Sequence, residues 1–337
     1  HDGKLLDTVF GQDAAEIFEK VKFVQIIACG TSYHAGLVAK YWIEDLVGMP
    51  CRVEVASEYR YRNPVLLPDT LVVTISQSGE TADTLAALRS IQDRTDATLS
   101  ICNVPESSLV RESRLHLMTR AGPEIGVAST KAFTSQLLAL LMMVVSLGKS
   151  RGMEQARASE LLRGAIALPV LIEKVLANKS VIENWAKHFT DLNTTIFLGR
   201  GVLFPIALEG GLKLKEISYI HADAYPAGEL KHGPIALIEP GVPVVAIACK
   251  DGYEDKIKSN LQEVLTRGGD VYLFADERLD VSDLGDRCQV VTLPAVMAEL
   301  APVLHVVPLQ LFSYFVALLK GTDVDQPRNL AKSVTVE

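Results

Sequence analysis

Leu71-Val72-Val73-Thr74-Ile75-Ser76-Gln77-Ser78-Gly79-Glu80-Thr81 is an apolar run that breaks into three hydroxyls, an amide and a glycine. Ala82-Asp83-Thr84-Leu85-Ala86-Ala87-Leu88-Arg89 follows and has helical spacing. The order is therefore buried strand, polar turn, helix. The first amide N–H groups of a helix are unpaired and carry partial positive charge, so its N-terminus favours an anion. Hydroxyls in the same turn add donors without charge. Two readings of the turn stand side by side: a phosphate cradle, or an ordinary turn capped by Ser78 or Thr81.

The same punctuation recurs on both sides of this stretch. Phe23-Val24-Gln25-Ile26-Ile27-Ala28 reads as a strand running into Cys29-Gly30-Thr31-Ser32, with a short helix before it (Gln12 to Lys20) and a longer one after it (about Tyr33 to Val47). Pro50 to Val55, Thr70 to Ile75, Ala97 to Asn103 and His116 to Thr119 complete five strands. Strands separated by helical segments predict βαβ units and a parallel sheet covered on both faces. A long apolar helix through Leu147 and connecting helices over 151–193 come next.

The pattern then restarts. Thr195-Ile196-Phe197-Leu198-Gly199-Arg200-Gly201 matches the first strand and its glycine turn, with a helix over Phe204 to Ile220. Pro243 to Ala248 stands where Leu71 to Ile75 stood, with its helix over Asp255 to Thr266, and Val271 to Ala275 parallels Ala97 to Asn103. The offset of about 170 residues marks a tandem duplication of one α/β unit. The second copy has Cys249-Lys250-Asp251-Gly252 where the first has Ser-Gln-Ser-Gly. Asp251 repels a phosphate, so only the first copy is expected to hold one. The expected organisation is 1–150 for the first copy, 151–193 for the connecting helices, 194–320 for the second copy and 321–337 for a tail.

Composition narrows the function. A net charge of −8 with no basic run argues against a nucleic-acid surface. Any anion must then be held by local donors. The five cysteines, Cys29, Cys51, Cys102, Cys249 and Cys288, are scattered without a CxxC pair. That suggests reduced thiols in a cytoplasmic protein and no zinc site. Leu137 to Leu147 is too short to span a bilayer, and Leu300 to Leu319 contains His305, Gln310 and two prolines. Both are expected to be core helices rather than membrane spans. The start, His1-Asp2-Gly3-Lys4, reads as a piece of something longer.

Polar chemistry concentrates between Glu209 and His232. Glu209 and Lys213 stand at i, i+4, and Lys213, Glu216 and Ile220 share a helix face. The plain reading is a solvated salt-bridge helix. Against it, Leu208, Leu212, Leu214 and Ile217 make the helix strongly apolar. Tyr225-Pro226-Ala227-Gly228-Glu229-Leu230-Lys231-His232-Gly233-Pro234 sets ionisable groups between turn formers, as in a functional loop. For a sugar phosphate, aldose–ketose interconversion needs a carboxylate or imidazole to move a proton beside a carbonyl. Glu216 and His232 are suitable types. Lys213 and Lys332 could meet the carbonyl. The polar tail after Lys320 reads as a frayed terminus.

The twofold repeat and Ser76-Gln77-Ser78-Gly79-Glu80-Thr81 resemble the sugar isomerase (SIS) domain family. Cys29 to Ser32, Glu124 to Lys131, Lys213 to Glu216, Glu229 to Pro234 and the tail Pro327 to Glu337 narrow this. Together they resemble the C-terminal isomerase modules of the glucosamine-6-phosphate synthase family, glutamine-dependent aminotransferases of fructose 6-phosphate. The resemblance implies two subdomains, each a five-stranded parallel flavodoxin-like sheet between helices, and a homodimer with no metal or other cofactor. It implies that Ser76, Gln77, Ser78 and Thr81 bind the sugar phosphate, with Thr31, Ser32, Val127, Ser129 and Ala331 in the sugar site. Glu216 is implied to move a proton between C1 and C2, with Lys213 assisting. His232 is implied to open the ring from the neighbouring subunit, and Lys332 to contact the open-chain sugar or form an imine with it. Such families begin with a glutaminase domain, which this chain does not show. Interconversion of fructose 6-phosphate and glucose 6-phosphate is therefore expected, with glucosamine 6-phosphate as the product when ammonia is supplied. A stand-alone phosphosugar isomerase and a non-catalytic phosphosugar sensor are the competing readings. A sensor needs Ser76 to Thr81 but neither Glu216 nor His232.

Overall fold

The computed structural model describes residues 5–95 and 97–335. His1 to Lys4, Asp96, Val336 and Glu337 lie outside it, and with them the start of the expected lead-in and the last two residues of the tail. The chain divides into two compact units. The first runs through Ile125 and adds Ser129–Ala165 and the tail from Ala331; the second is Gly126–Ala128 with Ile166–Leu330.

In the first unit the elements are α1 (Ala14–Lys20), β1 (Phe23–Ala28), α2 (Gly30–Trp42), β2 (Cys51–Val55), α3 (Ala56–Tyr59), β3 (Thr70–Ser76), α4 (Ala82–Arg89), β4 (Thr98–Cys102), α5 (Ser108–Glu112), β5 (Leu115–Met118) and α6 (Lys131–Ser150). All strand pairs are parallel, in the order β2-β1-β3-β4-β5. Helices on both faces bury the central strands completely. That is why β1 and β3 carry apolar residues on both faces, and why Gln25, Thr74 and Ser100 are buried along with them. On one face Ile27 and Val72 pack against Tyr59, Ala87 and Ile91.

α7 (Gln155–Leu176) leads from the first unit to the second, followed by α8 (Lys179–Ala186). The second unit then repeats the pattern with β6 (Thr194–Gly199), α9 (Phe204–Ser218), β7 (His221–Pro226), β8 (Pro243–Ala248), α10 (Glu254–Thr266), β9 (Asp270–Asp276), β10 (Cys288–Leu293) and α11 (Ala301–Lys320). Its sheet is also all parallel, in the order β10-β9-β8-β6-β7. Renumbered from its own first strand, that is the order of the first sheet. The fold is α/β with two such sheets, as the sequence suggested. Ile257, Leu261 and Val264 of α10 close one face over Val244, Ala246, Val271 and Leu273.

Two expectations are revised. The turn after β1 is itself helical, since α2 begins at Gly30. The strands β7 and β10, absent from the three found in the second copy by pattern, are present at the two edges of its sheet. β7 has sequence His-Ala-Asp-Ala-Tyr-Pro, which is poor in β-branched residues, and ends in a proline that an edge strand tolerates. The two long apolar helices, α6 and α11, are long and apolar enough to cross a membrane by composition, yet 72% and 61% of their most apolar windows are buried inside the fold. His305 on α11 is fully buried between the carbonyls of Ala301 and Ala248 (3.0 and 3.2 Å), and burial lowers its pKa. All five cysteines are free thiols.

Candidate functional site

In a doubly wound sheet, ligands bind outside the carboxyl ends of the strands where the strand order reverses. In the first unit that point lies between β1 and β3. β3 ends on Ser76 there, and the turn to α4 is tightly self-bonded. The Ser76 hydroxyl accepts the Gly79 N–H (3.0 Å) and lies 3.0 Å from the Thr81 hydroxyl. The Ser78 hydroxyl accepts the Glu80 N–H at 3.1 Å. Gly79 adopts φ +69°, and a Cβ there would come within 2.0 Å of the Ser107 hydroxyl, so conformation and space both demand glycine. Thr81 occupies the N-cap position of α4, but its side chain makes no capping bond. The simple-cap reading is therefore corrected: the hydroxyls order the turn instead of closing the helix. Gln77 is partly exposed beside them.

The tail meets this turn. Ser333 and Ser78 hydroxyls are 3.0 Å apart, and the Ala82 N–H donates to the Val334 carbonyl at 3.1 Å. Lys332 reaches Glu124 at 2.7 Å. Glu124 in turn accepts the N–H groups of Thr130 (2.8 Å) and Ala132 (3.1 Å) at the start of α6. Burial raises the Glu124 pKa, but the Lys332 ammonium and these two N–H groups outweigh it and hold the carboxyl below its ordinary value. Thr31 and Ser32 lie in the first turn of α2, with Ser32 buried and bonded to Gln136 at 3.0 Å. Ser129 is partly exposed just ahead of α6, and Ala331 is exposed next to Lys332. The turn, Glu124 and residues 332–334 thus converge within one unit.

The second unit holds a different cluster. On α9, Lys213 lies 3.4 Å from Glu209 and 2.5 Å from Glu216. The Lys213 and Glu209 side chains are 2% and 0% exposed, while Glu216 keeps 20%. The solvated-helix reading of the Glu209–Lys213 pair is overturned, because Leu214, Ile217 and the packing of α9 on α11 exclude water. Desolvation presses the Lys213 pKa down, but the two carboxylates more than compensate and keep it above the ordinary lysine value. Glu216 is the member of the triad with a route to solvent.

Val127 lies in the same unit, its N–H donating to the Asp325 carbonyl at 2.9 Å. Ala128 and Val324 pack with Ile217 at the end of α9. The tail is anchored here as well. The Thr322 hydroxyl donates to the Ile217 carbonyl at 2.5 Å, and the Arg328 N–H donates to the Tyr219 hydroxyl at 3.0 Å. The Arg328 guanidinium lies 4.1 Å above the Tyr219 ring. These contacts and those of residues 332–334 correct the frayed-terminus reading. His232 ends the short helical turn Ala227–His232, is exposed, and makes no hydrogen bond or ion pair among the described residues. The structure does not bring it to the Lys213 triad. No group of three or more metal-ligating side chains occurs among the described residues.

Three residues of these clusters carry no role in the sequence pattern. Along the chain Glu209 reads only as half of an exposed pair, Glu124 only as part of a motif, and Ser333 only as tail. Apolar residues around Glu209 signalled its burial. Glu124 and Ser333 find their partners 208 and 255 residues away along the chain, and no local pattern records that.

The SIS domain family model matches residues 17–146 and 188–320. The glutamine–fructose-6-phosphate aminotransferase (isomerizing) of Pseudomonas syringae pv. tomato is 59% identical over 336 residues, covering 99% of this chain and 55% of that protein. The chain thus spans about half the length of the curated relatives it matches. Among solved structures, the C-terminal domain of glucosamine-fructose-6-phosphate aminotransferase from Francisella tularensis superposes with a TM-score of 0.93 at 49% identity, over 97% of this chain and 92% of that one. Glucosamine-6-phosphate deaminase from Thermotoga maritima gives 0.76 at 26% identity, over 97% and 95%.

Proposed function

This chain belongs to the SIS domain family, and from that premise we propose that it is the isomerase module of a glutamine-dependent fructose-6-phosphate aminotransferase. The observation that carries the reading is the turn Ser76–Thr81. It places three hydroxyls at the topological switch point ahead of α4, in a chain whose net charge of −8 offers no general attraction to anions. Ser76, Gln77, Ser78 and Thr81 bind the phosphate of fructose 6-phosphate. Thr31, Ser32, Val127, Ser129 and Ala331 line the sugar site.

Ammonia adds to the C2 carbonyl of the open-chain ketose and water leaves. Moving a proton from C1 to C2 then yields the 2-amino aldose, glucosamine 6-phosphate. Without ammonia the same transfer interconverts fructose 6-phosphate and glucose 6-phosphate. Glu216 carries that proton, and its partial exposure beside a buried ammonium suits a carboxylate that must meet substrate. Lys213 fixes it in place and assists. Lys332 contacts the open-chain sugar or forms an imine with it. His232, from the neighbouring subunit of a homodimer, opens the ring. The ammonia comes from a glutaminase domain in the longer protein, and the setting is cytoplasmic. A non-catalytic sensor would have no use for a Glu–Lys–Glu triad that is buried except at Glu216.

Glu216→Gln tests the reading. Fructose 6-phosphate should still bind, with conversion to glucose 6-phosphate down by about 10²–10⁴-fold, the usual span of a positioned proton-transfer group. Turnover at the parent rate would overturn the assignment.

A further inference from the structure

Glu80 presents a difficulty for a phosphate-binding turn, since it places a carboxylate between Gly79 and Thr81. The geometry shows where that charge goes. One Glu80 oxygen accepts the Ser108 N–H at 2.7 Å, at the start of α5. The neighbouring Leu109 N–H donates to the Gly79 carbonyl at 3.1 Å, and the Asn103 N–H donates to the Gln77 carbonyl at 3.2 Å. Ser107 fills the space beside Gly79. The segment from Asn103 to Leu109 therefore grips the turn at consecutive places, and the Glu80 side chain is its outermost hold. The bonds from Ser108 also keep the Glu80 carboxyl below its ordinary pKa, so the grip is charged at neutral pH.

The second copy lacks this device. Its turn has Tyr253 after Gly252, and the corresponding Ser282 N–H is taken by its own neighbour Asp280 at 3.1 Å. The buttress goes with the turn that carries the hydroxyls.

We propose that Glu80 is a positioning residue for sugar-phosphate binding: by holding the Ser108 N–H it fixes the backbone on which Ser76, Ser78 and Thr81 are aimed. This rests on the phosphate reading above. It also makes an unusual demand, because a bystander anion and a buttress give opposite results when removed.

The test measures fructose 6-phosphate isomerisation in variants of the chain. Glu80→Ala should raise KM about tenfold with kcat within about twofold, because binding is lost equally in ground and transition states. Glu80→Gln keeps an acceptor oxygen and should hold KM within about threefold of the parent. Ser108→Pro removes the N–H that Glu80 holds and, with the hydroxyl, the second Ser108 bond to Glu80. Proline suits the first position of a helix, and Ser107 before it is already extended (ψ 162°), so folding is preserved. It should reproduce the Glu80→Ala effect, and the double variant should add nothing further. A fall in KM for Glu80→Ala, an unchanged KM, or additive effects with Ser108→Pro would overturn the proposal. Ser78→Ala with Thr81→Ala separates the two claims. If that pair leaves KM unchanged, the phosphate lies elsewhere and both claims fall; if it raises KM while Glu80→Ala does not, only the Glu80 role falls.

Discussion

After β3 the chain turns through Ser78-Gly79-Glu80, and after β8 through Asp251-Gly252-Tyr253. The two turns share a backbone device. Each glycine is left-handed, at φ +69° and +90°. Each preceding side chain accepts the N–H two residues on: Ser78 from Glu80 at 3.1 Å, and Asp251 from Tyr253 at 3.0 Å. The glycines after β1 and β6 match as well, with Gly30 at φ +52° and Gly201 at +53°. What differs is the chemistry hung on this frame. Thr31 and Ser32 are answered by Val202 and Leu203, and Ser78 by a carboxylate whose pKa burial raises. A cavity of about 330 Å³ beside α10 is lined by Lys250, Lys258 and Arg278, but these are bonded to Glu254, Asp283 and Asp276. Conversely, α9 buries Glu209 and Lys213, whereas α2 buries Ala35, Val38, Ala39 and Trp42. The copies keep the hydrogen bonds that make the fold and differ in the polar side chains set on it.

The largest predicted effect comes from the helices. Glu209–Lys213 and Lys40–Glu44 have the same i, i+4 spacing, but the second pair is 3.9 Å apart with 44% and 45% side-chain exposure. Lys213→Ala removes the ammonium from a buried ion pair and should cost about 3–5 kcal/mol of unfolding free energy. Lys40→Ala should cost about 0.3–0.5 kcal/mol, the worth of an exposed helix pair. Denaturant unfolding of the two variants decides it. Equal losses would mean that the buried pair carries no special weight.

The turns give the next contrast. Ser78→Asp imports the second copy's charge into the first. At an effective dielectric near 20, two unit charges about 4 Å apart repel by about 4 kcal/mol, so KM for fructose 6-phosphate should rise by about 10²–10³-fold. Asp251→Ser removes the charge but supplies none of the other hydroxyls. Titration calorimetry should still find one sugar phosphate per chain. A second binding event in that variant would show that charge alone separates the copies.

Most of this division could be read along the chain, because the central strands are buried on both faces and their apolar runs stand out. The hydroxyl turn and the Asp251 substitution are visible in the same way. Edge strands were harder. β7 is half exposed and carries Asp223 and Pro226, so its pairing with β6 rests on main-chain bonds that composition does not predict. Burial of Glu209 and Lys213 escaped because i, i+4 spacing is identical for a surface pair and a core pair; only the packing of α9 on α11 distinguishes them. The tail escaped for another reason. Its order comes from single contacts to distant residues: Thr322 to Ile217, Arg328 to Tyr219, Lys332 to Glu124 and Ser333 to Ser78. None of these needs periodicity in the tail itself.

The smallest predicted effect concerns the loops before the last long helix of each copy. Before α11 the Val296 carbonyl is held by Arg278 at 2.6 Å, a contact with no proton to lose near neutral pH. Before α6 the corresponding task falls to Glu124, which binds Lys332 and two N–H groups and is held below its unfolded pKa of 4.5. A carboxyl with a depressed folded pKa contributes stability that is fully present above the unfolded value and disappears as pH falls through the folded one. The wild-type chain should therefore lose stability, and tail docking with it, on acidification below about pH 4.5. Glu124→Gln should lie lower at pH 7 and run closer to flat through that window, with carboxypeptidase digestion of the tail no longer accelerating as pH drops. Parallel stability curves for the two proteins below pH 4.5 would show that Lys332 is held there by something other than the Glu124 charge.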